Sequence, residues 1–125
     1  MNVDSVMTRN PETIEPLEML SVVREKMDRG HFRRMPVVDE EGKLIGIVCD
    51  GDLRPHAGYL PTTRVTAAIV DDVVSVTPDE PLDKAVEIIL ERKVGGLPVV
   101  DANRKVVGIL TESDLMRALL KQLRR

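Results

Sequence analysis

The chain has 125 residues, of which 42% are hydrophobic and 31% charged, values typical of a folded domain rather than a disordered chain. Aromatic residues make up only 2% and the formal net charge is −3, which argues against nucleic-acid binding by base stacking and against binding to an acidic membrane. A single cysteine, Cys49, excludes an internal disulfide, and without a signal peptide or a membrane-spanning apolar run we expect a cytoplasmic protein.

The first half of the chain predicts a short α+β unit. Its elements are a helical turn over 3–8, a strand fragment at Thr13 and Ile14, a helix over 17–29, strands over 32–38 and 44–49, and a helix that begins at Asp50. Gly30 is a natural stop for the long helix, and the turn over 39–42 predicts a hairpin between the two strands. Pro55 cuts the last helix short, and residues 55–64 are linker-like.

The second half predicts the same elements again. A lead-in covers 66–70, a short strand follows at Ser75 and Val76, and a helix extends from about Asp79, a suitable N-cap, to Lys93. The predicted buried stripe of this helix contains Leu82, Ala85, Val86, Ile89 and Leu90. Strands over 96–100 and 106–110 form the second hairpin, and a final helix over 112–123 places Leu115, Leu119 and Leu123 on one face.

The two halves form a tandem repeat. When residues 11–53 are placed on residues 73–115 without gaps, a shift of 62, 13 of the 43 positions are identical. The identical positions include the segment PVVD (36–39 and 98–101) and the pair Asp52-Leu53, which falls on Asp114-Leu115. A half of about 60 residues buries little core by itself, so we expect the two copies to pack about a pseudo-twofold axis.

The segment GILTESDL (108–115) carries the clearest chemistry. It predicts the end of a buried strand followed at once by a helix, with Thr111 capping the helix and Asp114 one turn further on the same side. A hydroxyl, free backbone N–H groups and a carboxylate would then meet at one point, which suits a ribose-phosphate. The alternative is that Thr111 and Asp114 are ordinary helix-start residues.

This combination of segments resembles the CBS (cystathionine β-synthase) domain in both halves. The first copy shows MPVVD (35–39), GKLIGIV (42–48) and Asp52-Leu53, and the second shows LPVVD (97–101) and GILTESDL (108–115). The resemblance implies a tandem pair of βαββα domains, over residues 1–60 and 61–125, with the strands packed together and the helices outside. It also implies a non-enzymatic regulatory module, in which an adenosine-containing ligand lies between the two copies, and a homodimer that acts on an unidentified partner.

The resemblance implies site residues in each copy. Thr111 and Asp114 match the family's hydroxyl and ribose-binding acid, whereas in the first copy Asp52 is kept and Cys49 replaces the hydroxyl residue, which makes the pocket beside Thr111 the better formed. The implied adenine slots contain Ile14, Met35, Pro36 and Val37 in one copy, and Ile69, Val76, Leu97, Pro98 and Val99 in the other. The ligand would be AMP, ADP, ATP, S-adenosylmethionine or NAD(H).

Other polar residues have simpler interpretations beside their functional ones. Arg34, and less so Arg33, could reach phosphate or could simply protect a solvated strand edge. Cys49 is more simply a half-buried small residue than a redox sensor. No metal site, catalytic set or required cofactor is predicted, and we expect neither nucleic acid nor membrane as a partner. The competing hypothesis is a structural adapter that dimerises and binds no ligand.

Overall fold

The computed structural model describes residues 1–125, which divide into two compact units. The repeat-1 unit consists of residues 12–73, and the repeat-2 unit consists of residues 74–125 together with residues 1–11. The units thus differ from the predicted segments 1–60 and 61–125, because the first eleven residues pack with the second repeat and residues 61–73 pack with the first. That division into segments stays a prediction about the repeats as sequence units.

The elements follow the predicted order. In the chain they are β1 (Thr8–Arg9), α1 (Leu20–Gly30), β2 (Arg34–Val38), β3 (Leu44–Cys49), α2 (Leu82–Arg92), β4 (Gly96–Val100), β5 (Val106–Thr111) and α3 (Glu112–Leu123). Short 3₁₀ helices occupy Val3–Ser5, Asp50–His56, Leu60–Thr62 and Val65–Ala67. The helix after Asp50 is therefore a 3₁₀ helix that contains Pro55 and ends one residue beyond it.

Both predicted hairpins are confirmed. β2 pairs antiparallel with β3, and β4 pairs antiparallel with β5. In the first hairpin the Gly42 N–H donates to the Asp39 carbonyl, and Gly42 adopts a φ of +83°, which favours glycine. The strand fragments before the helices are single parallel bridges, Ile14 to Val37 and Val76 to Val99.

Each lead-in segment pairs with the central strand of the other repeat. β1 lies against β5, with Thr8 opposite Ile109, and in the repeat-1 unit Val70 forms a bridge with Ile47 of β3. Glycines allow this approach. A Cβ at Gly108 would lie 2.6 Å from the Met7 sulfur and 3.0 Å from the Thr8 carbonyl oxygen. A Cβ at Gly46 would lie 2.8 Å from the Val70 carbonyl oxygen, so both strands require glycine at this position.

The long helices begin three residues later than predicted. α1 begins at Leu20 and α2 at Leu82, and neither has a side-chain cap. The Leu20 N–H donates to the Thr63 carbonyl and the Leu82 N–H to the Met1 carbonyl, so a lead-in backbone oxygen replaces the cap. The N-cap role predicted for Asp79 is wrong, because its carboxylate accepts a hydrogen bond from the Thr77 hydroxyl instead.

The ends of the long helices and the apolar faces of the helices also differ in part from the predictions. Left-handed residues at His31 and Lys93 terminate α1 and α2, so the stop lies one residue after Gly30. Each unit has its own aliphatic core, which contains Leu20, Val23 and Met27 in one and Ala85 and Ile89 in the other. Leu90, which was predicted to be buried, is exposed, and so are Leu17, Leu119 and Leu123.

None of the helices combines the length and the apolar composition needed to cross a lipid bilayer.

Candidate functional site

The junction between β5 and α3 forms a complete capping box. The Thr111 hydroxyl accepts a hydrogen bond from the Asp114 N–H (3.2 Å) and donates to Asp114 Oδ2 (2.9 Å). The Thr111 N–H donates to the same carboxylate oxygen at 2.9 Å. The residue pair thus satisfies the backbone at the helix start reciprocally, as expected for a threonine followed by an acid three residues later.

The second oxygen of Asp114 is also occupied. Oδ1 accepts a hydrogen bond from the Thr8 hydroxyl (2.9 Å) and one from Arg117 Nη2 (2.7 Å). Asp114 is 4% exposed and is the one buried charged residue of the chain. Its carboxylate therefore has four donors of its own chain, two on each oxygen, which fill the acceptor sites of a carboxylate.

These four donors differ in how readily a ligand could replace them. The two donors from Thr111 belong to the helix cap and are fixed by the backbone. The Arg117 side chain is 66% exposed, and its contact with Asp114 closes one helical turn. A diol would have to replace Arg117, Thr8 or both in order to reach Oδ1. Sequence reasoning identified Thr111 and Asp114, but missed both of these partners of Oδ1.

The corresponding junction in the repeat-1 unit has the same backbone geometry and fewer donors. The Cys49 N–H donates to Asp52 Oδ2 at 2.8 Å, and no N–H or O–H donates to Oδ1. The shift of 62 residues explains this, because the positions of Thr8, Thr111 and Arg117 correspond to Val70, Cys49 and Pro55, and none of these side chains carries an N–H or O–H group. The Cys49 thiol, a weak donor, is also hydrogen-bonded to the Asp52 carboxylate, so this half-buried acid has fewer and weaker partners than Asp114 and is easier for a ligand to reach.

Cys49 and Arg34 lie opposite each other in the β2–β3 ladder. Burial raises the pKa of the Cys49 thiol, and the negative charge of Asp52 raises it further, whereas the charge of Arg34 acts in the opposite direction. A thiol in this state is protonated and unreactive near neutral pH, as expected for a small half-buried residue. In the repeat-2 unit the same register pairs Gly96 with Thr111.

An ion pair holds the start of the 3₁₀ helix after β3. Arg24 Nη1 of α1 donates to Asp50 Oδ1 at 2.7 Å, and Arg24 Nη2 lies 3.1 Å from Asp28. The hydrogen bond from Arg24 holds the pKa of Asp50 below its usual range. The repeat-2 unit has Val86 and Glu112 at the corresponding positions and makes no such bridge.

The residues of the implied adenine slots are mostly core residues. Those on β2 and β4 are buried, and Ile14 and Val76 are buried beside them. The set on the two strands contains Met35, Pro36, Val37, Leu97, Pro98 and Val99. Ile14 alone among the slot residues borders a described cavity, an open depression of about 590 Å³ that Glu18 and Lys26 also line.

Ile69 lies in a different core cluster from the one that the resemblance implies. It packs against the core of the repeat-1 unit, and a Cβ on Gly46 would lie 2.6 Å from its side chain. Val76, Leu97 and Val99 belong to the core of the repeat-2 unit. The assignment of Ile69 to the same adenine slot as these three stays a prediction, and the lead-in that carries Ile69 packs on the other repeat.

A groove along α3 was not predicted from the sequence. It has a volume of about 270 Å³ and lies between α3 and the N-terminal 3₁₀ helix. Arg117, Lys121 and Arg125 line one side, Ser5 and Val6 line the other, and Asp114 also borders the groove. The signal available in the sequence was the spacing of four residues between the three cations.

No group of three or more His, Cys, Asp or Glu side chains is arranged to hold a metal ion.

Comparison with known proteins identifies the family. The family model described as "CBS domain" matches residues 3–57 and again residues 65–121. The chain therefore belongs to the CBS domain family and contains two copies of the domain. This confirms the resemblance seen in the sequence and the α+β tandem fold.

Two relatives show how the chain compares in length. It is 30% identical to a CBS domain-containing protein of Dictyostelium discoideum over 97% of this chain and 92% of that protein. It is 32% identical to the uncharacterized protein MJ1225 of Methanocaldococcus jannaschii, over 92% of this chain but only 46% of the relative. The chain thus spans less than half of this longer relative.

Two solved structures superpose on nearly the whole chain. One is the CBS domain pair of protein MJ0100 in complex with 5′-methylthioadenosine and S-adenosyl-L-methionine (TM-score 0.89, 25% identity, 98% of each chain). The other is CBSX2 of Arabidopsis thaliana in complex with AMP (TM-score 0.85, 28% identity, 99% of this chain and 98% of that one).

Proposed function

We propose that this CBS domain pair is a non-enzymatic regulatory module that binds an adenosine-containing ligand and transmits its bound state to a partner protein. The observation that carries the proposal is the strand-to-helix junction, which occurs once in each unit with a carboxylate at the third helical position. A cytoplasmic location, predicted from composition, is part of the same proposal.

The chemistry of the junctions suits a ribose. A carboxylate can accept hydrogen bonds from both hydroxyls of a ribose diol, and bonds to a charged acceptor contribute roughly 1.5–3 kcal/mol each. Asp52 offers a carboxylate with fewer and weaker partners for this purpose. Oδ1 of Asp114 can accept a bond from a ligand only after the bond from Arg117 or Thr8 is broken, which weakens binding there.

The relatives support the adenosyl class of ligand. The structure of the MJ0100 CBS pair is a complex with 5′-methylthioadenosine and S-adenosyl-L-methionine, and that of CBSX2 is a complex with AMP. Adenosine with a ribose diol is the part that these ligands share. We therefore include AMP, ADP, ATP, S-adenosylmethionine and NAD(H) in the proposal without choosing among them.

Calorimetric titration tests the proposal. AMP, ATP, S-adenosylmethionine, NADH and 5′-methylthioadenosine are titrated into the wild-type chain and into Asp52→Asn, Asp114→Asn and the double variant. We expect at least one ligand to bind, and the variant of the acid that holds the ribose to weaken it by about tenfold or more. The matched control is Glu91→Gln, which removes one exposed carboxylate from α2.

The competing function is a structural adapter that binds no ligand. The saturated carboxylate of Asp114 and the thiol at Cys49 favour it, because both acids then act only as helix caps. If none of the five ligands binds, the adapter is supported and the sensor is rejected. If a ligand binds and neither acid variant changes its affinity, the ribose role of these acids is rejected.

Homodimerisation is part of the proposal, and α3 offers a surface for it. Met116, Leu119, Leu120 and Leu123 follow helical spacing and are 45–72% exposed, so they form an apolar stripe without a cover in the chain. Sedimentation velocity should show a dimer that dissociates in Leu119→Glu/Leu123→Glu, and a monomeric wild type would reject this part.

A further inference from the structure

The groove along α3 concentrates positive charge in a chain of net negative charge. Arg117, Lys121 and Arg125 line it, and Asp114 is the only acidic residue there, so the side chains of the lining carry a net charge of +2. The chain as a whole carries −3. The groove volume of about 270 Å³ is close to the lower end of the roughly 300–1,000 Å³ that small-molecule sites occupy.

Two of the three cations have no anionic partner in the chain. Arg117 is paired with Asp114, whereas neither Lys121 nor Arg125 makes an ion pair or a side-chain hydrogen bond. One turn of α3 separates Arg117 from Lys121, about 6 Å along the axis. Favourable interaction with the helix C-terminus accounts for Lys121 in the last turn, but not for Arg117 in the middle of the helix or for the concave wall opposite.

We propose that this groove binds the phosphate groups of a phosphate-bearing ligand. Lys121 supplies a compact charge and Arg125 a planar set of N–H donors, and both types of group bind phosphate oxygens well. Displacement of Arg117 from Asp114 would add a third cation. Ser5 and Val6 form the opposite wall of the groove.

Two sources of phosphate fit this chemistry. One is a free oligophosphate, which needs only the groove. The other is the phosphate chain of a nucleotide whose ribose is bound by Asp114, since this residue borders the groove. The second source rests on the proposed function, whereas the first does not.

Calorimetry with inorganic tripolyphosphate at low ionic strength tests the groove itself. We expect tripolyphosphate to bind the wild-type chain and Lys121→Gln/Arg125→Gln to bind it at least about tenfold more weakly, since each lost contact to a charged group is worth about 1.5–3 kcal/mol. The matched control, Lys84→Gln/Arg92→Gln, removes the same charge from exposed positions on α2. Absence of binding, or an equal loss in the control, would overturn the proposal.

ATP and adenosine then identify the source of the phosphate. If the nucleotide supplies it, Lys121→Gln/Arg125→Gln weakens ATP but not adenosine, and tripolyphosphate competes with ATP. If a free oligophosphate occupies the groove, tripolyphosphate still binds and ATP is unaffected by the substitutions. Because adenosine has no phosphate, its binding reports on the proposed function alone, and failure of either proposal can be seen separately.

Discussion

The two strand-to-helix junctions share a backbone and differ in the state of their carboxylates. Asp114 of the repeat-2 unit is buried and accepts four hydrogen bonds, two on each oxygen. Asp52 of the repeat-1 unit is half-buried and accepts hydrogen bonds only from the Cys49 N–H and from the weakly donating Cys49 thiol. The copy that matches the family motif better is thus the one whose acid is already satisfied within the chain.

A junction can therefore contain the complete family motif while its carboxylate is already hydrogen-bonded within the chain and is not free to bind a ligand. The threonine that completes the motif also donates to the acid, and so do Thr8 and Arg117. In the repeat-1 unit the hydroxyl and guanidinium donors are absent, and Asp52 has fewer and weaker partners. The sequence prediction that the better pocket lies beside Thr111 stays a prediction, and the more accessible acceptor at Asp52 is the structural argument against it.

The largest expected difference between the junctions is in stability. Asp114→Ala should lower the free energy of unfolding by about 1.5–3 kcal/mol, because it removes a buried carboxylate that accepts four hydrogen bonds, from Thr111, Thr8 and Arg117. Asp52→Ala should cost about 0.5–1.5 kcal/mol, the value of one ordinary hydrogen bond and a cap. Urea unfolding of both variants measures the difference, and equal losses would contradict the assigned networks.

A smaller effect on stability is expected from the Arg24–Asp50 ion pair, which has no counterpart in the repeat-2 unit. Arg24→Gln should cost about 0.5–1 kcal/mol at neutral pH, since both partners are about one-third exposed and solvent screens the pair. The pKa of Asp50 is lowered in the folded state, so its contribution is present above the ordinary carboxyl pKa of about 3.9 and is lost as the pH falls through the folded value.

Urea unfolding between neutral pH and pH about 3 checks this sign. The stability difference between wild type and Arg24→Gln should be full at neutral pH and should shrink as Asp50 is protonated. The control is Arg29→Gln, which removes one arginine from the exposed pair with Glu25 on the same helix. A difference that grows on acidification would show that Asp50 is not the group involved.

The smallest effect concerns the residue that distinguishes the two caps. Cys49→Thr should stabilise the chain by about 0.5 kcal/mol, since a hydroxyl is a better N-cap acceptor than a thiol. The wild-type thiol should react slowly with an alkylating agent near neutral pH because its pKa is raised, and Asp52→Asn should speed the reaction by removing a negative neighbour. A rate that does not respond to Asp52→Asn would contradict this account.

The sequence by itself determined the repeat, the two hairpins, the long helices and the capping pair Thr111 and Asp114. These depend on local patterns, namely turn residues, apolar spacing and a cap with an acid three residues later. The sequence also located Asp52 and Cys49, because the shift of 62 residues transfers the motif directly.

Only the tertiary structure decided which lead-in packs on which repeat. The starts of the long helices, one partner of Asp114 and the position of Ile69 follow from that packing. The helix starts at Leu20 and Leu82 are satisfied by the carbonyls of Thr63 and Met1, and backbone-to-backbone bonds leave no side-chain signal in a sequence. The same packing brings the Thr8 hydroxyl to Asp114 across 106 positions of chain and places Ile69 over Gly46. Contacts between distant segments depend on the packed core, so local propensity could not reveal that the acid of the better motif is already bonded.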